Sequence, residues 1–336
     1  MNGSLAKPLN GGINKREVNM SKQDNALRPI TFTDIIGLTD TKRRIKVSID
    51  AAKARNESLG HVLIDGSKGL GKTTLALCMA NEIGTALITA NAATIKSPRD
   101  LLQVLRDIEP RDVLFIDEIH SLPRPVEEFL FTAIEDFRVD IPTGQRTKNV
   151  VSVDINPFTL IGATTHVGKV SPPLRDRFRF RETLDPYTDD EIAKIVTINV
   201  KKLGCTIQND AAMAIAIRSR NTPRIAVNNL YWCRDFSQLH GSRDLTLSYV
   251  EAAMEDQGID EMGLTRNDRR YLRVLHDVYG GGAVGKVVLS HSLGIAAETL
   301  ESEIEPFLLS KGLILRVPSG RQLNTDGFKL CRVLTV

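Results

Sequence analysis

Three groups of residues have the types and spacing for chemistry on a polyphosphate. The run Gly66-Ser67-Lys68-Gly69-Leu70-Gly71-Lys72-Thr73-Thr74 places Gly66 and Gly71 with four residues between them, followed at once by Lys and Thr, the pattern of a phosphate-binding loop. Glycines such as Gly69 and Gly71 let backbone N–H groups turn inward around phosphate oxygens. Lys72 then supplies a cation for the β- and γ-phosphates, and the hydroxyl of Thr73 a ligand for Mg²⁺. The second group ends the apolar run Val113-Leu114-Phe115-Ile116, where Asp117 is suited to hold the ion's hydration shell and Glu118 to polarise a water. The third group is cationic. Arg175 and Arg177 flank Asp176 on a short turn, and Arg224 follows Thr222-Pro223 at the start of a helix. The pair either neutralises Asp176 or sends Arg177 into a neighbouring subunit's site as an arginine finger. Arg224 has the reach to return to the phosphates from another domain. These groups point to binding and hydrolysis of a nucleoside triphosphate.

Elements must hold those residues in place. Val62–Ile64, Leu87–Thr89, Val113–Ile116 and Phe158–Ile161 are short apolar runs alternating with helical stretches. Runs that apolar predict strands buried on both faces, hence an α/β domain with a parallel sheet. The last run leads to Thr164-Thr165, hydroxyls placed beside a γ-phosphate or the attacking water. Residues 1–26 read as a disordered polar tail, and order begins near Leu27-Arg28-Pro29. The large domain spans 27–185 and opens with a helix over Thr39–Arg55. Residues 186–256 are predicted helical, over Asp189–Leu203, Asp210–Arg220, Arg224–Leu239 and Thr246–Met254, with caps expected at Asp189-Asp190 and Asn209-Asp210. Residues 257–336 read as helices over Arg266–Tyr279, Val284–Leu293 and Ala296–Ser310, followed by a hairpin near Pro318-Ser319-Gly320. That order predicts a winged helix. Residues 307–336 carry five Lys/Arg against one acid, a local net charge of +4 suited to phosphate contacts.

These motifs together resemble the AAA+ ATPases, and their detail resembles the RuvB family, bacterial motors of Holliday-junction branch migration. Leu27–Pro29, Gly66–Thr74, Asp112–His120, Pro157–Thr165, Leu174–Phe178 and Arg218–Ala226 carry the likeness, which runs from Leu27 to the C-terminus. It implies an AAA+ P-loop domain, a small helical lid and a winged-helix head. It also implies that Lys72, Thr73 and Thr74 bind phosphates and Mg²⁺, and that Asp117 and Glu118 form the Walker B pair. A threonine of the pair Thr164 and Thr165 would be sensor 1, Arg177 the trans finger and Arg224 sensor 2. Leu27, Arg28 and Tyr187 would line the adenine side, and Glu135-Asp136-Phe137 matches a segment near the nucleotide. Arg316 and Arg321 match DNA-contacting positions of the head. The implied partners are duplex DNA, four-way junctions and further copies of the chain in a ring, hexameric by analogy with the family's assembly. A RuvA-like protein would dock on the hairpin predicted at 139–154, which reads otherwise as a plain solvated hairpin. The chain departs from the family pattern at Ser67-Lys68 (Pro-Pro), His166 (Arg), Arg179 (Gly) and Asn221 (Gly), and none of these removes a catalytic group.

Composition narrows the rest. The 336 residues predict more than one domain. With 42% hydrophobic and 25% charged residues and a net charge of +3, the chain is ordinary for a globular protein, and its overall charge does not argue for nucleic acid. No run approaches the length of a membrane span. Cys78, Cys205, Cys233 and Cys331 lack metal spacing and read as reduced thiols of a cytoplasmic protein. Two other tasks stay open at this level: clamp loading or protein–DNA remodelling by the same ATPase, and a nucleotide-gated DNA-binding module that barely hydrolyses ATP.

Overall fold

The computed structural model describes residues 26–143 and 149–334. The polar tail expected at 1–26 lies outside the described residues except for its last position, and so does the hairpin turn from Gly144 onward. The chain forms two compact units that divide after Tyr187.

In the first unit five strands form one parallel sheet: β1 (Val62–Gly66), β2 (Leu87–Asn91), β3 (Val113–Asp117), β6 (Thr159–Thr164) and β7 (Phe180–Leu184), in the order β2-β3-β6-β1-β7. Val113–Ile116 and all of β6 are buried, as their unbroken apolar character predicts. The sheet core joins Leu63, Leu114, Ile116 and Leu160 to Leu101, Val126 and Leu130. These come from helices α3 (Pro98–Leu105) and α4 (Arg124–Glu135), which follow α1 (Thr39–Arg55) and α2 (Lys72–Ile83). Each such side chain taken from water contributes about 1.5–3 kcal/mol. Helix α2 buries Leu75, Ala76, Met79 and Ala80, one face at helical spacing, and stops at Gly84 in the left-handed region (φ 86°). Helix α3 starts at Pro98, with Ser97 and Asp100 forming a capping box. Strands β4 (Arg138–Thr143) and β5 (Asn149–Asp154) pair antiparallel apart from the main sheet, as the hairpin expectation requires.

Strand β7 was not expected, because Phe180-Arg181-Glu182-Thr183-Leu184 is too polar for the buried pattern. It is an edge strand, and its buried Glu182 is satisfied by Thr41 (3.0 Å) and by Arg44 of α1. The short helix α5 (Pro172–Asp176) precedes it, capped by Ser171.

The second unit begins with α6 (Asp189–Lys202), α7 (Asn209–Ile217), α8 (Pro223–Leu239) and α9 (Leu247–Asp256). The cap of α6 is Thr188 in a box with Glu191, not Asp189-Asp190, and α7 starts after Gln208. A hydroxyl followed three residues later by Glu satisfies two orphan N–H groups, which an Asp pair inside the first turn does not. Two two-residue strands, β8 (Thr206–Ile207) and β9 (Asp244–Leu245), pair in parallel between these helices. Then come α10 (Arg266–Arg273), α11 (Lys286–Leu293), α12 (Ala297–Thr299) and α13 (Glu305–Ser310). The helix expected over Arg266–Tyr279 is α-helical only to Arg273 and widens to a π turn at Val274–Val278; a second π turn at Leu300–Ile304 divides the helix expected over Ala296–Ser310. A hairpin of β10 (Ile314–Val317) and β11 (Gly320–Leu323) forms the wing, and a final helix α14 (Thr325–Leu334), which was not expected, closes the core around Tyr271, Leu289 and Leu308. Val284 pairs with Arg321 of the wing at a point where a Cβ on Gly320 (φ 144°) would lie 2.1 Å from the Val284 carbonyl oxygen.

Between α7 and α8 two consecutive non-glycine residues, Arg220 (φ 52°) and Asn221 (φ 54°), take the left-handed conformation. Arg220 pairs with Asp268, which is buried at the capping box of α10, and its guanidinium lies 4.4 Å from the Phe307 ring centroid. Asn221 donates to Asp189 Oδ1 at 3.2 Å.

Candidate functional site

Strand register brings the predicted groups to one edge of the sheet. β1 pairs with β6 so that Asp65 faces Thr164, and β3 pairs with β6 so that Ile116 faces Gly162. The carboxyl ends of β1, β3 and β6 therefore lie side by side, where open α/β sheets bind their ligands. From β1 the chain turns through Gly66, Gly69 and Gly71, all at positive φ (156°, 89° and 97°), directly into α2. Lys72 is 7% exposed, and its ammonium donates to the carbonyls of Gly66 (2.6 Å) and Ser67 (3.2 Å), so it is held against the loop it would serve.

The segment before α1 crosses α2. Arg28 Nε donates to Thr74 Oγ1 at 3.2 Å, Cys78 Sγ lies 3.6 Å from the Pro29 carbonyl oxygen, and Asn81 donates to the Ile30 carbonyl at 2.8 Å. Burial lowers the Arg28 pKa, with an opposing contribution from Cys78. Leu27 and Tyr187 are both buried.

At the end of β3, Asp117 Oδ1 accepts the Glu118 N–H at 3.0 Å, and Glu118 itself is left-handed (φ 49°). Its carboxylate turns toward Thr165: Oε2 accepts the Thr165 N–H at 3.1 Å, and the Thr165 hydroxyl donates to the carboxylate at 3.0–3.2 Å. Two histidines complete the cluster. His120 Nδ1 lies 2.8 Å from Thr164 Oγ1 and 3.3 Å from Glu118 Oε2, while His166 Nδ1 lies 2.9 Å from Thr165 Oγ1. The imidazoles meet edge to face, 5.3 Å between centroids. Burial is the main force holding His120 below the ordinary histidine pKa; Glu118 opposes it, and His166, Lys169 and Lys72 reinforce it. His120 is thus neutral near pH 7. Sequence reasoning passed over both rings as functional groups. Their only local sign is position, His120 two residues after the carboxylate and His166 directly after the threonine pair.

Arg177 lies elsewhere. It follows α5 and precedes β7, whose first residue pairs with Val62 at the start of β1. That is the amino-terminal edge of the sheet, opposite the phosphate loop. Asp176 pairs with Arg181 (3.0 Å) rather than with Arg175 or Arg177. Arg177 instead pairs with Glu135 at 3.0 Å, stacks 4.2 Å from the Phe131 ring centroid and donates to the Pro173 carbonyl at 2.8 Å. Glu135 ends α4, Asp136 caps it, and Phe137 (φ 49°) packs against His61 and Phe158 at 6.4 and 6.0 Å. These three residues stay with Arg177 and are not brought to the chain's own loop. Arg224 stands exposed in the first turn of α8, in the second unit.

In the wing, Arg316 donates to Glu305 through Nε (3.1 Å) and Nη2 (2.7 Å). Arg321 donates to Glu305 (2.8 Å) and Glu301 (2.7 Å), and Lys286 pairs with Glu301 at 3.0 Å. Glu305 is fully buried and also accepts from the Tyr271 hydroxyl at 3.2 Å. The basic count of the last thirty residues overstates the free charge, because acids from the preceding segment neutralise two of its arginines.

Family models match three consecutive stretches: the Holliday junction DNA helicase RuvB P-loop domain over residues 27–184, the RuvB AAA lid domain over 187–260 and the RuvB C-terminal winged helix domain over 261–332. The Holliday junction branch migration complex subunit RuvB of Rhodopirellula baltica is 45% identical over 307 residues, 91% of this chain and 84% of that protein. Its counterpart in Lactobacillus helveticus is 44% identical, over 90% of this chain and 88% of that protein. The solved structure of the Thermotoga maritima RuvB Holliday junction branch migration motor aligns with a TM-score of 0.82 at 39% identity, covering 91% of this chain and 98% of that one.

Proposed function

Because the chain belongs to the RuvB family, we propose that it hydrolyses ATP to drive duplex DNA through a ring of its own copies and so migrates Holliday junctions in recombination and repair. The supporting observation is the separation of its catalytic groups. The phosphate loop and Glu118 share the carboxyl edge of the sheet, while Arg177 stands at the opposite edge. A finger placed there serves a neighbour's nucleotide, so a complete site needs two subunits.

In this reading Lys72 and the N–H groups of Gly69 to Thr74 bind the triphosphate, with Leu27, Arg28 and Tyr187 on the adenine side. Thr73 and Asp117 offer the oxygen donors a hard divalent cation prefers. Magnesium held there supplies charge neutralisation to the β- and γ-phosphates. Glu118 orients the attacking water, and one threonine of the pair Thr164 and Thr165 reports the γ-phosphate. Arg177, with Glu135, Asp136 and Phe137 beside it, faces the next subunit's nucleotide, and Arg224 closes over the phosphates from a lid of residues 186–256. Residues 27–185 form the ATPase domain and 257–336 the DNA-binding head, with Arg316 and Arg321 toward the phosphate backbone. A RuvA-like protein docks on the 139–154 hairpin, and the work is cytoplasmic.

Phosphate release with and without four-way-junction DNA tests this. Junction DNA should stimulate the wild type, and Arg177→Ala should lower kcat by about 10³–10⁵. Mixed-in Arg177→Ala subunits should also poison wild-type rings. Full activity in Arg177→Ala, or indifference to DNA, would refute the shared-site motor.

A further inference from the structure

We infer that His166 is a positioning residue for the hydrolytic step, acting through Thr165 to fix the carboxylate of Glu118. The inference rests on Glu118 being the water-orienting base. It follows from counting protons. The Thr165 hydroxyl has one, and its oxygen lies 3.0 and 3.2 Å from the two Glu118 oxygens. An ionised carboxylate only accepts, so the proton must point toward Glu118. The contact of 2.9 Å between Thr165 Oγ1 and His166 Nδ1 can then be filled only by an N–H on Nδ1. The result is a directed chain, His166 Nδ1–H to Thr165 Oγ1–H to Glu118, in which each bond polarises the next.

The rest of the cluster supports that direction. The Thr165 backbone N–H donates to Glu118 Oε2 at 3.1 Å, so both donors of Thr165 converge on one carboxylate. The His166 backbone N–H donates to Thr164 Oγ1 at 3.0 Å, which anchors the residue from its other end. His120 adds a further contact, 2.8 Å from Thr164 Oγ1 and 3.3 Å from Glu118 Oε2. Glu118 starts from a left-handed backbone (φ 49°), which sets the direction in which its side chain leaves β3. His166 is exposed and takes no part in the buried core, so its ring is available for substitution without opening a cavity.

The test is a substitution series in the full-length protein, reading kcat and KM for ATP. Asparagine places its amide N–H where Nδ1 stands, glutamine where Nε2 stands, and alanine places none. His166→Ala and His166→Gln should lose about tenfold in kcat with KM unchanged, because base orientation matters in the chemical step and not in binding. His166→Asn should stay within about twofold of wild type. Equal activity of the asparagine and glutamine variants, or wild-type kcat in His166→Ala, would overturn the inference. Glu118→Gln tests the underlying assignment separately: if it turns over at the wild-type rate, Glu118 is not the base, whereas a dead Glu118→Gln beside an unaffected His166→Ala sinks only the role of His166.

Discussion

Replacing Glu305 with alanine removes a carboxylate that three side chains share. Glu305 is fully buried and accepts from the Tyr271 hydroxyl, Arg316 and Arg321. The partners are not equally dependent on it. Arg316 is 47% exposed, so water replaces much of what it loses, and its share is below about 1 kcal/mol. Arg321 is 13% exposed and retains Glu301, but its Nε faces a vacated buried site. Removing one member of a buried ion pair costs about 3–5 kcal/mol, and the remaining contact to Glu301 places the loss near the lower end, about 3 kcal/mol. At about 2–4 °C per kcal/mol for a unit of this size, the midpoint should fall by roughly 6–12 °C. Urea denaturation followed by tryptophan fluorescence reads the loss of free energy directly. Trp232 is the chain's single tryptophan, lies in the same compact unit and donates its indole N–H to the Ala253 carbonyl at 2.9 Å. The transition should shift to lower urea with its slope unchanged, and Arg321→Ala should cost more than Arg316→Ala. A loss below about 1 kcal/mol, or the reverse order of the arginines, would refute this account of the wing.

Further outcomes follow from burial and geometry. His61 accepts the Leu160 N–H at Nδ1 (2.9 Å) and contacts the Ile134 carbonyl through Nε2 (3.0 Å), and burial lowers its pKa. Above about pH 6.5 both folded and unfolded forms are neutral; below it the unfolded chain takes a proton the folded one refuses, so stability should fall by up to about 1.4 kcal/mol per pH unit. Unfolding free energies that stay flat from pH 7.5 to 5.5 would contradict this. Burial pushes the Cys78 and Cys233 thiols up to about 12 and Cys331 to about 11, so at pH 8 these three should react with a disulfide reagent only as the protein opens, and rapid native labelling of any of them would count against the packing. Gly320→Ala should destabilise the head by about 2–4 kcal/mol, since the added Cβ meets backbone that cannot yield, and a thermal midpoint equal to wild type would show the wing pairing to be wrong.

What was legible in the sequence was local. The phosphate loop, the strand ending in Asp117-Glu118 and the apolar strands could be read because glycine spacing and unbroken hydrophobicity are signals carried by adjacent residues. Strand β7 was hidden because its one buried charge is answered by Arg44, 138 residues earlier. The partner of Arg177 lies 42 residues away in Glu135, so the sequence offered only Asp176 beside it. Likewise the basic stretch after residue 307 looked unopposed because Glu301 and Glu305 precede it on a different element. The histidines around Glu118 escaped for another reason: a lone imidazole has no pattern, and its role depends on which proton it carries.

The tandem left-handed pair at Arg220 and Asn221 has a mechanical meaning. Each such residue costs on the order of 1 kcal/mol relative to ordinary backbone, and the cost is met by tying one side chain to Asp268 and the other to Asp189. Helix α8, which carries Arg224 in its first turn, is thereby pinned at its root to both the first helix of the lid and the first helix of the head. A joint clamped on both sides has little backlash. A tilt of α8 would therefore load the anchors at Asp189 and Asp268 together, which makes the Arg220-Asn221 joint a bracket rather than a free pivot.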